Sequence, residues 1–167
     1  MKRTTIIVLL SLILALCGCA VKEAPVLETI ECPEIPNVPA FYLSADLPSE
    51  LTLISSCEDG KSAVFAHEDY LVSEEIFEAA SMEEALRYVT GRDSADVALM
   101  TVSTFPQTEY RLAWTAAGEY GDQVCSATMF SDGTFYYALT VQCDASAANA
   151  YRTVVSDILA TTELTPV

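Results

Sequence analysis

The chain has 167 residues, with 24 Asp and Glu against 8 Lys and Arg and a formal net charge of −16 at pH 7. Such an excess of acid is repelled by phosphate backbones, which demand Lys and Arg, and this excludes nucleic acid as a partner. An anionic bilayer repels it too, within a Debye length of ~8–10 Å.

Lys2 and Arg3 precede an apolar run from Ile6 to Leu16 that ends in small residues, the layout of a secretory signal. The run is too short for a comfortable membrane span, which needs ~20 apolar residues. Leu16-Cys17-Gly18-Cys19 resembles the lipobox of bacterial lipoproteins: Leu, two small residues, then Cys. The resemblance implies cleavage between Gly18 and Cys19, a diacylglycerol on the Cys19 sulfur, and often acylation of the new amine. Two acyl chains anchor a protein stably where one is marginal, at ~0.8 kcal/mol per buried CH₂. The alternative is an uncleaved N-terminal span with Lys2 and Arg3 inside. Residues 1–18 are therefore expected to be a signal peptide. Cys19 would be lipidated and would hold the protein on the extracytoplasmic side of the cell membrane.

Removing residues 1–18 takes away two cations and no acid, so the remainder is more acidic still. Residues 19–40 carry Pro25, Pro33, Pro36 and Pro39 among several Glu, with no amphipathic period. They read as an extended tether reaching at most about 60 Å at ~3.1 Å per residue. Residues 41–167 are ample for one hydrophobic core and too few for two.

Within that body, Phe41 to Leu47 and Leu51 to Ser56 read as two short strands around Pro48-Ser49-Glu50. Glu58-Asp59-Gly60 is a turn before a strand over Ser62 to His67. Residues 68–80 are acidic and fit either a short helix opened by Ser73-Glu74-Glu75 or a loop. Ser81-Met82-Glu83-Glu84 is a capping box, and Met82, Ala85, Leu86 and Val89 share one helical face before Gly91 stops the helix. Strands are expected at Val97–Ser103, Tyr110–Ala117, Gln123–Ser131 and Thr134–Gln142, the last two joined through Asp132-Gly133. In the last strand Phe135, Tyr137, Leu139 and Val141 share one face, with Tyr136, Ala138 and Thr140 on the other. A second helix runs from about Ser146 to Thr161, with Tyr151, Val154, Val155, Ile158 and Leu159 on its buried stripe.

The expected fold is α+β: a mostly antiparallel sheet of about six strands covered by two main helices. That order, with Asp46-Leu47-Pro48, the capped helix, the hairpin through Tyr136-Tyr137 and the closing Tyr151–Leu159 helix, resembles the PsbP-like fold over residues 41–162. The resemblance implies an accessory or assembly role rather than catalysis, and it assigns no functional residue.

Chemistry-bearing residues are few. With one histidine, His67 in Ala66-His67-Glu68-Asp69, any Ser-His-Asp or Cys-His arrangement must be built around it, and no Gly-x-Ser-x-Gly elbow occurs. Glu74, Glu75, Glu78, Glu83 and Glu84 sit at spacings of a solvated helical face. No Asp-x-Asp-x-Asp-Gly loop, Cys-x-x-Cys pair or phosphate-cradling glycine loop is present, so no metal, cofactor or nucleotide is expected. Cys32, Cys57, Cys125 and Cys143 could form disulfides in an exported chain or remain thiols in a reducing one. Chain order favours Cys32–Cys57 and Cys125–Cys143. A two-residue turn at Asp132-Gly133 would nonetheless place residue 125 opposite 140 and turn Cys143 to the other face, unless a bulge intervenes.

Trp114 alternates with Leu112 and Ala116, against a helix or as a binding platform, and Tyr120 between Gly118 and Gly121 is expected to be exposed. Both are candidates for a partner contact. The expected function is a membrane-anchored, non-catalytic binding or assembly module with an envelope protein partner. The alternatives are an envelope-acting hydrolase and a small-ligand or cation-binding lipoprotein.

Overall fold

A computed structural model describes residues 38–104, 106–118 and 121–167. Gly18, Cys19, Cys32, Tyr120 and the tether as far as residue 37 lie outside the described residues. The elements in chain order are β1 (Phe41–Ser44), β2 (Thr52–Ser56), β3 (Ser62–Ala66), β4 (Tyr70–Glu78), α1 (Met82–Thr90), a 3₁₀ turn (Ser94–Asp96), β5 (Ala98–Ser103), β6 (Thr108–Gly118), β7 (Gly121–Ser131), β8 (Phe135–Asp144), α2 (Ala148–Ala160) and β9 (Glu163–Pro166). Among them no helix is long and apolar enough to cross a membrane.

Seven strands form one sheet in the order β2-β3-β4-β8-β7-β6-β5, and β1 pairs with β9 in a separate ribbon. Every pairing is antiparallel. The architecture is therefore the expected α+β one, with one strand more in the main sheet than expected and an added ribbon. β8 lies at the centre and is buried without a break from Phe135 to Val141. Its side chains alternate between two apolar layers, which is why neither face of this strand is polar. Tyr136 and Ala138 join Leu112, Trp114, Cys125 and Met129 beneath Ala85 and Leu86 of α1. Leu139, Val141 and Cys143 face the other way, onto Ile158 and Leu159 of α2. Phe135 and Tyr137 continue that second face under Phe41, Leu43 and Leu164 of the ribbon.

The capping box forms at α1: the Glu84 amide donates to Ser81 Oγ at 3.2 Å, and the Glu84 carboxylate accepts the Ala80 amide at 2.8 Å. Gly91 ends the helix at φ 65°, its amide on the Arg87 carbonyl at 2.9 Å. Of the expected stripe, Ala85 and Leu86 are fully buried, with Met82 and Val89 packed at the edge of the same cluster. The α2 stripe also lands as expected, in the cluster around Val72 and Val141.

Three local expectations are corrected. Residues 70–78, open between helix and loop, form a nine-residue strand paired with β3 and β8. β1 and β2 are not neighbours: β1 joins the short C-terminal strand β9, and β2 joins the large sheet beyond a turn closed by Leu51 N–H to Pro48 O at 3.1 Å. The β7–β8 turn sits one residue later than expected. The Asp132 amide donates to Phe135 O at 3.3 Å, and Gly133, at φ 98°, takes the first tip position. Asp132 Oδ1 accepts the Thr134 and Phe135 amides at 2.8 Å each, and Oδ2 accepts the Tyr137 hydroxyl at 2.7 Å. Partial burial pushes the Asp132 carboxyl up, but these hydrogen bonds outweigh it and hold the group below its ordinary value. Cys125 consequently lies opposite Gln142, and Cys143 opposite Val124.

Candidate functional site

His67 follows β3 and sits in the turn to β4, where its amide donates to the Tyr70 carbonyl at 2.9 Å. Its ring stacks on Tyr70 at 4.7 Å and meets the edge of Tyr151 at 5.3 Å. Nδ1 accepts the Asp69 amide at 3.3 Å, so that lone pair is engaged with backbone. The Tyr151 hydroxyl donates to Asp69 Oδ2 at 2.7 Å, and this bond pushes its pKa up to about 12. Tyr70 is 3% exposed, and its hydroxyl is the one buried side-chain polar atom without a partner among the described residues. Burial first, then Glu50 and Cys143, raise its pKa. Both phenols are thus held protonated. The cluster joins the β3–β4 turn, β4 and α2 by stacking and one charge-assisted hydrogen bond, and among the described residues it aligns no nucleophile with His67. Sequence reasoning singled out His67 but missed Tyr70 and Tyr151 as its neighbours, because Tyr151 lies a long way along the chain on a helix. Among the described residues no group of His, Cys, Asp and Glu is arranged to hold a metal ion.

The other candidates are dispersed. Trp114 is 8% exposed and packs with Leu86, Leu112 and Cys125, so its ring belongs to the core beneath α1 and offers no surface to a partner. Tyr120 falls outside the described residues. Cys125 and Cys143 are free buried thiols on opposite faces of the β7–β8 pair, and the Cys125–Cys143 bridge favoured by chain order is not formed. The one-residue displacement of the turn moves the register by two and leaves that parity unchanged. Burial raises the pKa of both thiols, which keeps them unreactive. Cys57 is an exposed free thiol.

The surface is more informative. Both edges of the large sheet are short strands without a charged residue: Thr-Leu-Ile-Ser-Ser in β2 and Ala-Leu-Met-Thr-Val-Ser in β5. A bulge between Leu53 and Ser55 breaks β2 near its middle, whereas β5 keeps Ala98 to Thr101 in unbroken register with β6 before its own bulge. Leu99, Met100 and Val102 of β5 are 42%, 60% and 51% exposed. A bare edge of this kind is a template for an added strand unless charge, proline or a bulge blunts it. On the face carrying α2, a cleft of about 300 Å³ opens between that helix and β7–β8. Its floor is Val141, Cys143 and Leu159, all buried, and its rim includes Val124, Arg152 and Ser156, all exposed.

No family model matches the chain, and no curated protein does. Solved structures show the fold. The chain is similar to cyanobacterial PsbP (CyanoP) from Synechocystis sp. PCC 6803, with a TM-score of 0.52 and 10% identity over 80% of this chain and 97% of that one. It is also similar to LpqN of Mycobacterium tuberculosis, described as involved in cell envelope biogenesis, with a TM-score of 0.50 and 10% identity over 79% of this chain and 88% of that one. The α+β sheet with its two helices is thus a PsbP-like fold.

Proposed function

We propose that this chain is an extracytoplasmic lipoprotein, anchored through acylated Cys19, whose body is a non-catalytic module that binds an envelope protein. The observation that carries the reading is the edge strand β5, uncharged and rich in exposed apolar side chains on an otherwise strongly acidic chain. Strand addition there supplies affinity through main-chain hydrogen bonds, and Leu99 and Met100, on opposite faces, supply specificity. The occupant is an extended segment with basic flanks, since a body with this charge repels acidic partners and draws in cationic ones. The lipobox-like Leu16–Cys19 supports the anchor. The envelope role printed for LpqN, a protein of the same fold, fits the setting.

Metabolic labelling with an alkynyl palmitate is expected to mark the wild-type chain and to leave Cys19→Ala unmarked and released from membranes. A photocrosslinker at Met100 is expected to capture a discrete envelope protein, and one at Ile54 on β2 is not. Acylation without capture at Met100 overturns the binding surface, and capture of a cytosolic protein by an unacylated chain overturns the localisation.

A further inference from the structure

The cleft beside α2 combines features that the strand-addition reading leaves unused. Its walls are apolar: Val124 and Val141 from the sheet, Val155 and Leu159 from the helix. At its exposed rim stands Arg152. Lys61, Arg87 and Arg111 each pair with an acid, but Arg152 pairs with none among the described residues. It makes no ion pair even with Asp144, just before α2, or with Asp157 on the same helix. Exposed and unpaired, its guanidinium is free to meet an anion at the mouth of the cleft. Arg92 is also without an ion pair among the described residues, but the cavity it lines is polar, shared with Arg87, Thr90, Asp93 and Asp96.

Ala148, the first residue of α2, lines the cleft, and the helix begins there with no side-chain cap and no acid in its first turn. The start of a thirteen-residue helix therefore borders the cleft one turn before Arg152, close to Asp144, whose charge acts on Cys143 of the floor. Apolar walls and one free cation together describe a site for a molecule with a single negative head and an apolar body, the direct contact with Arg152 acting against the long-range repulsion of an acidic chain. The volume lies at the lower end of the ~300–1,000 Å³ usual for small-molecule sites, which suits a single chain. One guanidinium suits a monocarboxylate, forked onto both oxygens, better than a phosphate dianion.

We propose that this cleft binds a single-chain fatty-acid anion of medium length, its tail against Val124, Val141, Val155 and Leu159 and its carboxylate on Arg152. The site is independent of the β5 edge and of acylation at Cys19.

The test is photolabelling of the full chain in envelope vesicles with a diazirine analogue of decanoate, with adducts mapped by mass spectrometry. Adducts are expected at Val124, Val155 and Ser156, suppressed at least tenfold better by decanoate than by decanol. Arg152→Glu, on the exposed rim, is expected to lower labelling about tenfold while leaving the circular dichroism unchanged. Val155→Trp, which fills the cleft, should abolish it, and labelling should persist in Cys19→Ala. Equal suppression by decanol overturns the anionic head. Suppression by lysophosphatidate but not by decanoate assigns a phosphate lipid instead and overturns the proposal. Wild-type adducts spread over the surface, outside the cleft, overturn the site itself.

Discussion

β8 and β5 are alike in sequence: both are apolar, rich in residues that favour strands, and free of charge until Asp144 ends the first. Their surroundings differ completely. β8 has a strand on either side and a helix layer on each face, and it is buried from Phe135 to Val141. Among the described residues β5 has one neighbour, and it is exposed from Ala98 to Val102. Packing explains every apolar residue of β8 and few of β5, so the composition of the edge strand calls for a reason outside the fold.

The largest effect expected from this contrast comes from truncating the centre. Leu139→Ala removes a fully buried side chain and should cost about 3 kcal/mol. That would appear as a melting temperature lowered by roughly 10 °C in a thermal scan. Met100→Ala on β5 should stay within ~0.5 kcal/mol of wild type, and a comparable loss at both sites would erase the distinction.

Next in size is Asp132→Ala at the turn that leads into β8. It removes the acceptor of two backbone amides and of the hydroxyl of Tyr137, a residue with no exposed surface, for an expected loss of about 2 kcal/mol. The carboxyl is held below its ordinary value in the fold, so it stabilises fully above its unfolded pKa near ~3.9. That contribution fades as pH falls further, through the folded value. Denaturation of wild type and Asp132→Ala at pH 7 and pH 2.5 should therefore show the gap between them narrowing in acid.

Glu74 on β4, paired with Leu139, has the opposite sign. Burial raises its carboxyl pKa, so the fold favours the protonated form. Its contribution is greatest below the unfolded value near ~4.3 and is lost as pH rises through the folded one. Glu74→Gln is expected to raise the melting temperature at pH 7 and to change nothing at pH 3.5. The smallest expected effect on stability belongs to Met100→Lys, an exposed change that leaves melting unaltered while removing partner capture.

The elements with local signals were legible in the sequence. α1 announced itself by Ser81 and Glu84 at one end and Gly91 at the other, and β8 by its two-residue alternation. β4 was not legible, because Glu74, Glu75 and Glu78 mimic an acidic first turn. Its strand character comes from pairing with β3 and β8, which lie on either side of it in space. β9 was missed for the same reason: Glu163–Pro166 becomes a strand only by finding β1 at the far end of the domain. In the candidate sites, His67 stood out as the single histidine. The Arg152 cleft could not, since its walls come from β7, β8 and α2 and its defining property is an ion pair that Arg152 does not make.

The edge of β5 is proposed as the binding surface of an anchored module. The most direct measurement compares in-cell photocrosslinking from Met100 with that from Ile54, in the full chain and in full chain carrying Thr101→Pro. One discrete envelope protein captured from Met100, absent from Ile54 and lost with Thr101→Pro, is the expected result. Equal capture from both edges, or none from Met100 in an acylated and folded chain, would contradict it.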